Sequence, residues 1–258
     1  MTKRLLVTSD DFGMCHAVNA GIARSMREGI VRATNFLVPC PWFNEALALA
    51  RELELPVGVH LCLTNEWDRL KWGPLTRTPS LCDAQGHFFS EYDQLLAQAS
   101  DDDLLRELLA QVARVRSLGF QPTHLDSHMF GTWATFEGVA RVRAVMLEVS
   151  RQTGLRYVFE TDERGTLRHF DGEVDLSGRD AAEVWAELEA LPDGSYVFTG
   201  HAAEASAELE AMCSKDHPNR PWAGAYRTAD LAFFTDPRAP ERLRELGFTL
   251  VSHADLRI

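Results

Sequence analysis

Lysine is scarce in this sequence, with Lys3, Lys71 and Lys215 the only three in 258 residues. None of them follows a predicted strand, so a catalytic Schiff-base lysine is not expected. Acidic residues outnumber basic ones, 38 against 26, and the formal net charge is −12. Proteins that bind nucleic acid or an anionic membrane need a basic surface, so this charge argues against both as partners.

Long apolar runs are also missing. No stretch approaches the roughly 18 residues of a membrane-spanning helix. The N-terminal segment turns acidic at Asp10, before the apolar core of a signal peptide could form. The five cysteines include no Cys-x-x-Cys pair, which predicts reduced thiols and no disulfide framework. We therefore expect a cytoplasmic protein without a targeting or membrane segment.

Apolar strand-like segments alternate with amphipathic helices along the chain. Strands are predicted at 4–8, 33–38, 57–63, 123–127, 156–160, 196–199 and 248–251. Helices are predicted between most of them, at 16–28, 43–53, 100–119, 136–152, 181–191 and 240–246. This order favours an α/β fold of about seven parallel strands in a closed or nearly closed (β/α) barrel, as one domain over residues 1–258. An open doubly wound sheet is the alternative, but its Gly-rich phosphate turn is missing after the first strand.

Three segments interrupt this alternation. Residues 65–90 and 202–228 are predicted to be irregular, and 164–178 to be hairpin-like. Loops this long inside a compact domain are usually functional. Of the six tryptophans, Trp67 and Trp72 fall in 65–90 and Trp222 in 202–228, and Trp133 lies just before the predicted helix at 136–152. Their rings could stack on a sugar or simply anchor the loops, and the sequence leaves both open.

Ionisable side chains gather where predicted strands end. Asp10 and Asp11 follow the first strand, His60 lies in the third, and His201 follows a late one. The carboxyl ends of parallel barrel strands meet at one face, where catalytic residues collect. One carboxylate with two imidazoles is a half-filled coordination shell, which leaves room for water and substrate.

The spacing within these motifs has consequences of its own. His124, Asp126 and His128 share one strand face if the strand extends that far. One of the histidines could then bind a metal while the carboxylate orients an imidazole. Asp10 and Asp11 point apart on a regular strand, but at a turn both can reach one site. One could bind a cation and the other stay free as a base.

Three motifs in this order carry a specific resemblance. They are Thr8-Ser9-Asp10-Asp11-Phe12-Gly13, Gly58-Val59-His60-Leu61 and Pro122-Thr123-His124-Leu125-Asp126-Ser127-His128. Together they resemble the YdjC family, the ChbG/HpnK-like carbohydrate deacetylases, and the resemblance extends to the C-terminal helix and strand. It implies a distorted, polysaccharide-deacetylase-like (β/α) barrel, one divalent cation, and hydrolysis of the N-acetyl group of a sugar.

The resemblance also implies roles for single residues. Asp11, His60 and His128 match the metal ligands, Asp10 the general base, and His201 a candidate general acid. His124, Asp126, Arg227 and Trp222 are expected to support the site or touch the substrate, although a surface ion pair is favoured for Arg227. Two imidazoles favour Zn²⁺, while the resemblance allows Mg²⁺. The further histidines that many members carry after the last motif are absent here, as is the proline that commonly follows the late histidine.

Two other functions remain open from the sequence. A metal-dependent phosphoesterase could use a related barrel, but the scarcity of lysine speaks against phosphate binding. A non-catalytic sugar-binding protein would not need a base, a metal triad and an acid together. The expected partner is an N-acetylated sugar, and a homodimer is left open.

Overall fold

Parallel strands form one seven-stranded sheet in the residues that the structure, a computed structural model, describes: 3–129, 136–161, 167–212 and 224–256. The strands are β1 (Lys3–Phe12), β2 (Ala33–Phe36), β3 (Val57–Leu61), β4 (Leu125–Ser127), β5 (Gly172–Asp175), β6 (Ser195–Gly200) and β7 (Phe248–Leu250). Their order is β4-β3-β2-β1-β6-β5, and β7 pairs with β1. The carboxyl ends of the strands therefore lie at the same edge, as the sequence predicts.

Helices follow most of the strands. They are α1 (His16–Glu28), α2 (Phe43–Glu52), α3 (Tyr92–Gln98), α4 (Asp101–Ser117), α5 (Phe136–Thr153), α6 (Ala181–Ala190), α7 (Ala207–Ala211), α8 (Ala225–Phe234) and α9 (Ala239–Glu245), with a 3-10 turn at Pro79–Leu81. The Ser100 side chain accepts a hydrogen bond from the Asp103 amide and caps α4, as its sequence predicts. Helix α8 lies partly in the stretch predicted to be irregular.

Strand β1 is the centre of the sheet. One edge of it pairs with β6 over Arg4–Ser9. The other edge is divided, because β7 pairs with its beginning at Lys3–Leu5 and β2 with its end. Its first buried residues, Leu5 and Leu6, have no exposed surface. The aspartates at the end of β1 are thus carried by the most extensively paired strand described.

The predicted strand at 156–160 is wrong. Tyr157 forms a single bridge with Leu125 of β4, with hydrogen bonds from Leu125 N to Arg156 O (2.7 Å) and from Val158 N to Leu125 O (2.9 Å). The chain then turns, since Glu160 N donates to Tyr157 O. Val158 still packs inside the sheet with Leu6. The segment thus lies beside β4 without forming a strand.

The predicted hairpin-like segment 164–178 holds β5 instead. Its residues Gly172–Asp175 pair in parallel with β6, and the only antiparallel contact described nearby is the bridge between Thr161 and Leu167. The sequence does not predict this strand, because only one of its four residues, Val174, is buried and the segment therefore lacks an apolar run. The fold is otherwise the expected distorted (β/α) barrel, in the form of a half-barrel.

Helix α4 anchors the long irregular segment after β3. Gln111 accepts from Cys62 N (3.0 Å) and donates to Cys62 O (2.7 Å). Glu107 accepts from the amides of Leu75 and Thr76, both at 3.0 Å. These two helix side chains are fully buried, so they supply hydrogen bonds to the backbone at the start and in the middle of the segment.

Four cysteines are free thiols: Cys15, Cys40, Cys62 and Cys82. The prediction of unpaired thiols is confirmed for these four, and Cys213 lies outside the described residues. Among the described helices, none combines the length and apolar character that a membrane span requires.

Candidate functional site

An irregularity in β1 brings two adjacent aspartates to one cavity. The register of β1 against β2 shifts between Ser9 and Phe12, and Asp11 has a φ of 75°. A left-handed backbone is uncommon for a residue other than glycine and tends to occur at functional sites. On a regular strand the side chains of Asp10 and Asp11 would point to opposite faces. Here both line the cavity at the carboxyl end of the sheet.

Asp11, His60 and His128 form a buried cluster. Asp11 Oδ1 lies 3.4 Å from His60 Nε2 and 3.0 Å from His128 Nδ1. One candidate ligand atom from each residue lies within 4.8 Å of the others. Within the described part of the chain, Asp11 Oδ1 makes no hydrogen bond. A buried carboxylate oxygen facing two imidazole nitrogens is a donor set that suits a divalent cation.

Glu66 holds the third member of this cluster. Its Oε2 lies 2.9 Å from His128 Nε2, so a proton on Nε2 points to Glu66 and Nδ1 faces Asp11. Metal-binding histidines commonly use their second nitrogen in this way. Burial alone would lower the pKa of His128, but the charges of Glu66 and Asp11 outweigh it and raise that pKa well above its usual value. A cation bound at Nδ1 would exclude a proton from that nitrogen.

Sequence reasoning missed Glu66. It lies in the irregular segment 65–90, where no periodicity or motif marks it. The side chain is only 2% exposed, but Arg69 and Lys71 follow closely in the sequence, so nothing in the sequence distinguishes Glu66 from a surface glutamate.

Arg227 pairs with the other oxygen of the central aspartate. Its Nη2 donates to Asp11 Oδ2 at 2.6 Å, and its guanidinium lies 5.8 Å from the centre of the Trp67 ring. The favoured surface ion pair is wrong, because α8 turns Arg227 inward and leaves it 3% exposed. Burial would raise the pKa of Asp11, but Arg227 and His128 hold it well below its usual value. Asp11 is consequently a permanent anion.

Asp10 has hydrogen-bond partners of its own, and its ligand atom also lies within 4.8 Å of those of His60 and Asp126. Its Oδ1 accepts from Thr8 Oγ1 (3.1 Å) and from Asn35 Nδ2 (2.8 Å), and Asn35 Nδ2 also donates to Asp126 Oδ2 (3.1 Å). Burial and then the charge of Asp126 raise the pKa of Asp10 to about 7. Burial likewise raises the pKa of Asp126 to about 7. Asn35 was not foreseen, since within β2 it looked like an ordinary strand residue.

His201 lies directly after β6 and lines the same cavity. Its Nδ1 is 3.3 Å from Ser177 Oγ, and its backbone amide donates to Asp230 Oδ2 at 2.8 Å. Burial lowers the pKa of His201 to about 3, so the imidazole is neutral near pH 7. The late-strand histidine is thus near the cluster of Asp11, His60 and His128, as its position in the sequence predicts.

His124 takes a different position from Asp126 and His128. It precedes β4, and its ring stacks on His253 with 3.7 Å between ring centres. It does not line the cavity. A Cβ on Gly58 would overlap the His124 ring, which explains the glycine two residues before His60. Trp222, the remaining predicted site residue, lies outside the described residues.

The cavity has a volume of about 330 Å³, in the range of small-ligand pockets. It is lined by Asp10, Asp11, His60, Ser127, His128, Met129, Phe159, Glu173, Asp175, Ser177, Thr199, His201, Tyr226, Arg227 and Asp230. Trp67 and Trp72 are buried outside this lining, where their ring nitrogens donate to Met14 Sδ and Thr64 O. These two anchor the loop, and Phe159 and Tyr226 supply the aromatic surface of the cavity.

Comparisons with known proteins identify relatives of this chain. The model of the family described as YdjC-like protein matches residues 4–245. A chitooligosaccharide deacetylase of Yersinia enterocolitica is 28% identical over 99% of this chain and 100% of its own. A carbohydrate deacetylase of Brevibacillus brevis is 39% identical over 48% of each chain.

Solved structures share the fold. A protein of Enterococcus faecalis V583, whose name refers to cellobiose-phosphate cleavage, superposes with a TM-score of 0.81 at 23% identity over 100% of both chains. A family 4 carbohydrate esterase of Streptomyces lividans gives 0.51 at 12% identity, over 96% of this chain and 91% of its own. At these identities the likeness is one of fold alone.

Proposed function

The chain belongs to the YdjC-like protein family, and from this membership we propose that it is a metal-dependent carbohydrate deacetylase. It hydrolyses the N-acetyl group of an acetylated amino sugar or short oligosaccharide, and acts as a cytoplasmic, single-domain enzyme. The observation that carries the proposal is the buried cluster of Asp11, His60 and His128, which lies in one cavity with an aspartate, Asp10, bonded to other partners.

Asp11, His60 and His128 would hold the cation. The buried Asp11 Oδ1 without a hydrogen bond, and the Nδ1 atom of His128 turned away from Glu66, fit a metal ligand set. When bound, a divalent cation polarises the amide carbonyl and lowers the pKa of a water molecule. Two imidazoles in the set favour Zn²⁺, and Mg²⁺ is the alternative.

Asp10 serves as the general base. Thr8 and Asn35 fix its Oδ1, so the carboxylate has a defined orientation in the cavity. A pKa of about 7 lets it accept a proton from water near neutral pH, which is the condition under which a base is most effective.

His201 serves as the general acid. The leaving amine nitrogen must gain a proton as the C–N bond breaks. Burial lowers the pKa of His201 to about 3, so the ring is neutral at rest and serves as the acid only after it gains a proton from the solvent. The products are acetate and a free amino sugar.

The lining of the cavity supports an uncharged acyl sugar over a phosphate ester. Its acidic members include Glu173 and Asp175, which are exposed, and its arginine, Arg227, is already paired with Asp11. A phosphate group would meet repulsion from these carboxylates. The names of the relatives also refer to carbohydrate and chitooligosaccharide deacetylation.

The test is acetate release over a panel of N-acetylglucosamine and its short oligomers, with metal analysis, beside a generic phosphate monoester. We expect acetate from at least one sugar, and loss of both metal and activity in His60→Ala and His128→Ala. Hydrolysis of the phosphate ester alone, or a full equivalent of metal in both variants, would contradict the proposal.

A further inference from the structure

Every second side chain of β5, and of the residues directly after it, faces the cavity. Glu173, Asp175 and Ser177 all line it, with the alternation that a strand imposes. Asp175 pairs in register with Thr199 of β6, and Leu176 N donates to Thr199 O at 2.8 Å. The same register, continued two residues beyond Asp175 and Thr199, places Ser177 beside His201.

A second aspartate fixes this arrangement. Asp230 accepts from His201 N at 2.8 Å and from Gly178 N at 3.2 Å, so it ties the chain after β6 to the turn after β5. Gly178 has a φ of 72°, and a Cβ there would overlap the Tyr226 ring. The turn that carries Ser177 therefore has little freedom to move relative to His201.

The hydrogen bonds of Ser177 have a defined direction. Its hydroxyl donates to Asp175 Oδ1 at 2.5 Å. A hydroxyl has one proton, so towards His201 Nδ1, at 3.3 Å, it can only accept. The proton of the neutral imidazole is then on Nδ1, and Nε2 is the nitrogen left to exchange protons.

From this geometry we propose that Asp175 and Ser177 are positioning residues, which together fix the tautomer and orientation of His201 through a carboxylate–hydroxyl–imidazole chain. The proposal rests on the proposed deacetylase function for its kinetic consequence. His201 first gains a proton from the solvent on Nε2. It then gives this proton to the amine nitrogen as the C–N bond breaks, and the electron pair of that bond stays on the nitrogen. Ser177 accepts from Nδ1–H throughout, and the Asp175 charge stabilises the imidazolium, as an aspartate does for the histidine of a catalytic triad.

The first test needs no substrate. The ¹⁵N chemical shifts of the His201 ring, assigned with His201→Gln, report which nitrogen holds the proton. We expect Nδ1–H in the metal-free protein and a change towards a tautomer mixture in Ser177→Ala. A matched control is Ser252→Ala, which removes another serine that donates to an aspartate, Asp255 Oδ2 at 2.7 Å, outside the cavity. An Nε2–H tautomer in the unaltered protein, or unchanged shifts in Ser177→Ala, would overturn the proposal.

The second test separates positioning from general damage. Ser177→Ala and Asp175→Asn should each lower kcat for an N-acetyl sugar about tenfold or more, with KM and metal content kept. An aryl acetate needs no protonated leaving group, so its hydrolysis should fall less. Ser177→Thr keeps the hydroxyl and should restore part of the rate. The double variant should lose no more than the worse single variant, because both residues act through one chain.

The outcomes separate this proposal from the proposed function. If the unaltered protein releases no acetate, the deacetylase function fails while the tautomer measurement still decides the hydrogen-bond chain. If it is active and Ser177→Ala loses amide and ester hydrolysis equally, the deacetylase stands and the positioning role is wrong.

Discussion

Arg227 Nη2 donates to Asp11 Oδ2 at 2.6 Å, on the carboxylate oxygen opposite the one that faces His60 and His128. The two oxygens of the buried Asp11 carboxylate thus contact different partners. One is neutralised by a guanidinium, and the other is left to face the imidazoles.

The first prediction concerns this pair. Arg227→Met removes the buried partner of Asp11, and breaking a buried pair typically lowers the free energy of unfolding by about 3 kcal/mol or more. We expect that loss in the metal-free protein, measured by denaturant unfolding, and a smaller loss when metal is added. Equal destabilisation with and without metal would show that Arg227 does not serve the metal-binding carboxylate.

The second prediction separates the two adjacent aspartates. Asp10→Asn removes the proton acceptor with little change in shape, so the rate should fall by about 10²–10⁴-fold while the metal stays bound. Turnover and metal content are measured on the same preparation. If Asp10→Asn releases the metal, Asp10 is a ligand and the roles of Asp10 and Asp11 must be exchanged.

The third prediction addresses Glu66. Glu66→Gln keeps the length of the side chain but removes its charge, so His128 Nε2 loses its carboxylate partner. Replacing such a partner typically weakens metal binding about 10–100-fold. Titration calorimetry with the metal measures it, and Glu45→Gln, at an exposed contact with His16, is the control. Unchanged affinity in Glu66→Gln would remove Glu66 from the site.

The fourth prediction uses the stacked histidines outside the cavity. Burial, then the charge on Arg156, lowers the pKa of His253 to about 3, against about 6.5 in an unfolded chain. Between these values the unfolded state binds more protons, so acidification through pH 6.5 towards 3 removes stability. His253→Phe keeps a ring against His124 and removes the titration. When the pH falls from 7 to 5, the free energy of unfolding of His253→Phe should decrease by about 2 kcal/mol less than that of the unaltered protein.

Denaturant unfolding at the two pH values measures this difference. His87→Phe, at a partly exposed histidine, is the control and should lose as much stability as the unaltered protein. If His253→Phe also loses as much, buried His253 does not contribute to the acid sensitivity of the fold.

The sequence predicts the parallel fold and the gathering of Asp10, Asp11, His60, His128 and His201, because all of them follow from where strands end. It does not predict Glu66, Asn35 or the inward turn of Arg227. The contacts of these three residues depend on which distant segments pack together, and a local sequence pattern does not predict such packing. The erroneous strand at 156–160 shows the same limit, since an apolar run indicates burial whether or not a partner strand is present.

Strand β1 pairs with three other strands, whereas other parts of the cavity lie in irregular segments. We therefore expect the residues around the cavity to differ in local stability. Amides paired on a central strand exchange with solvent only when the whole domain opens, whereas loops open far more often. Asp10 and Asp11 extend from β1, while Glu66 and Ser177 lie in the segments that follow β3 and β5. Partial opening would therefore release the partners of His128 and His201 first and leave both aspartates in place. We therefore expect slower hydrogen exchange at the amides of β1, which carries the two aspartates, than at the amides around Glu66 and Ser177.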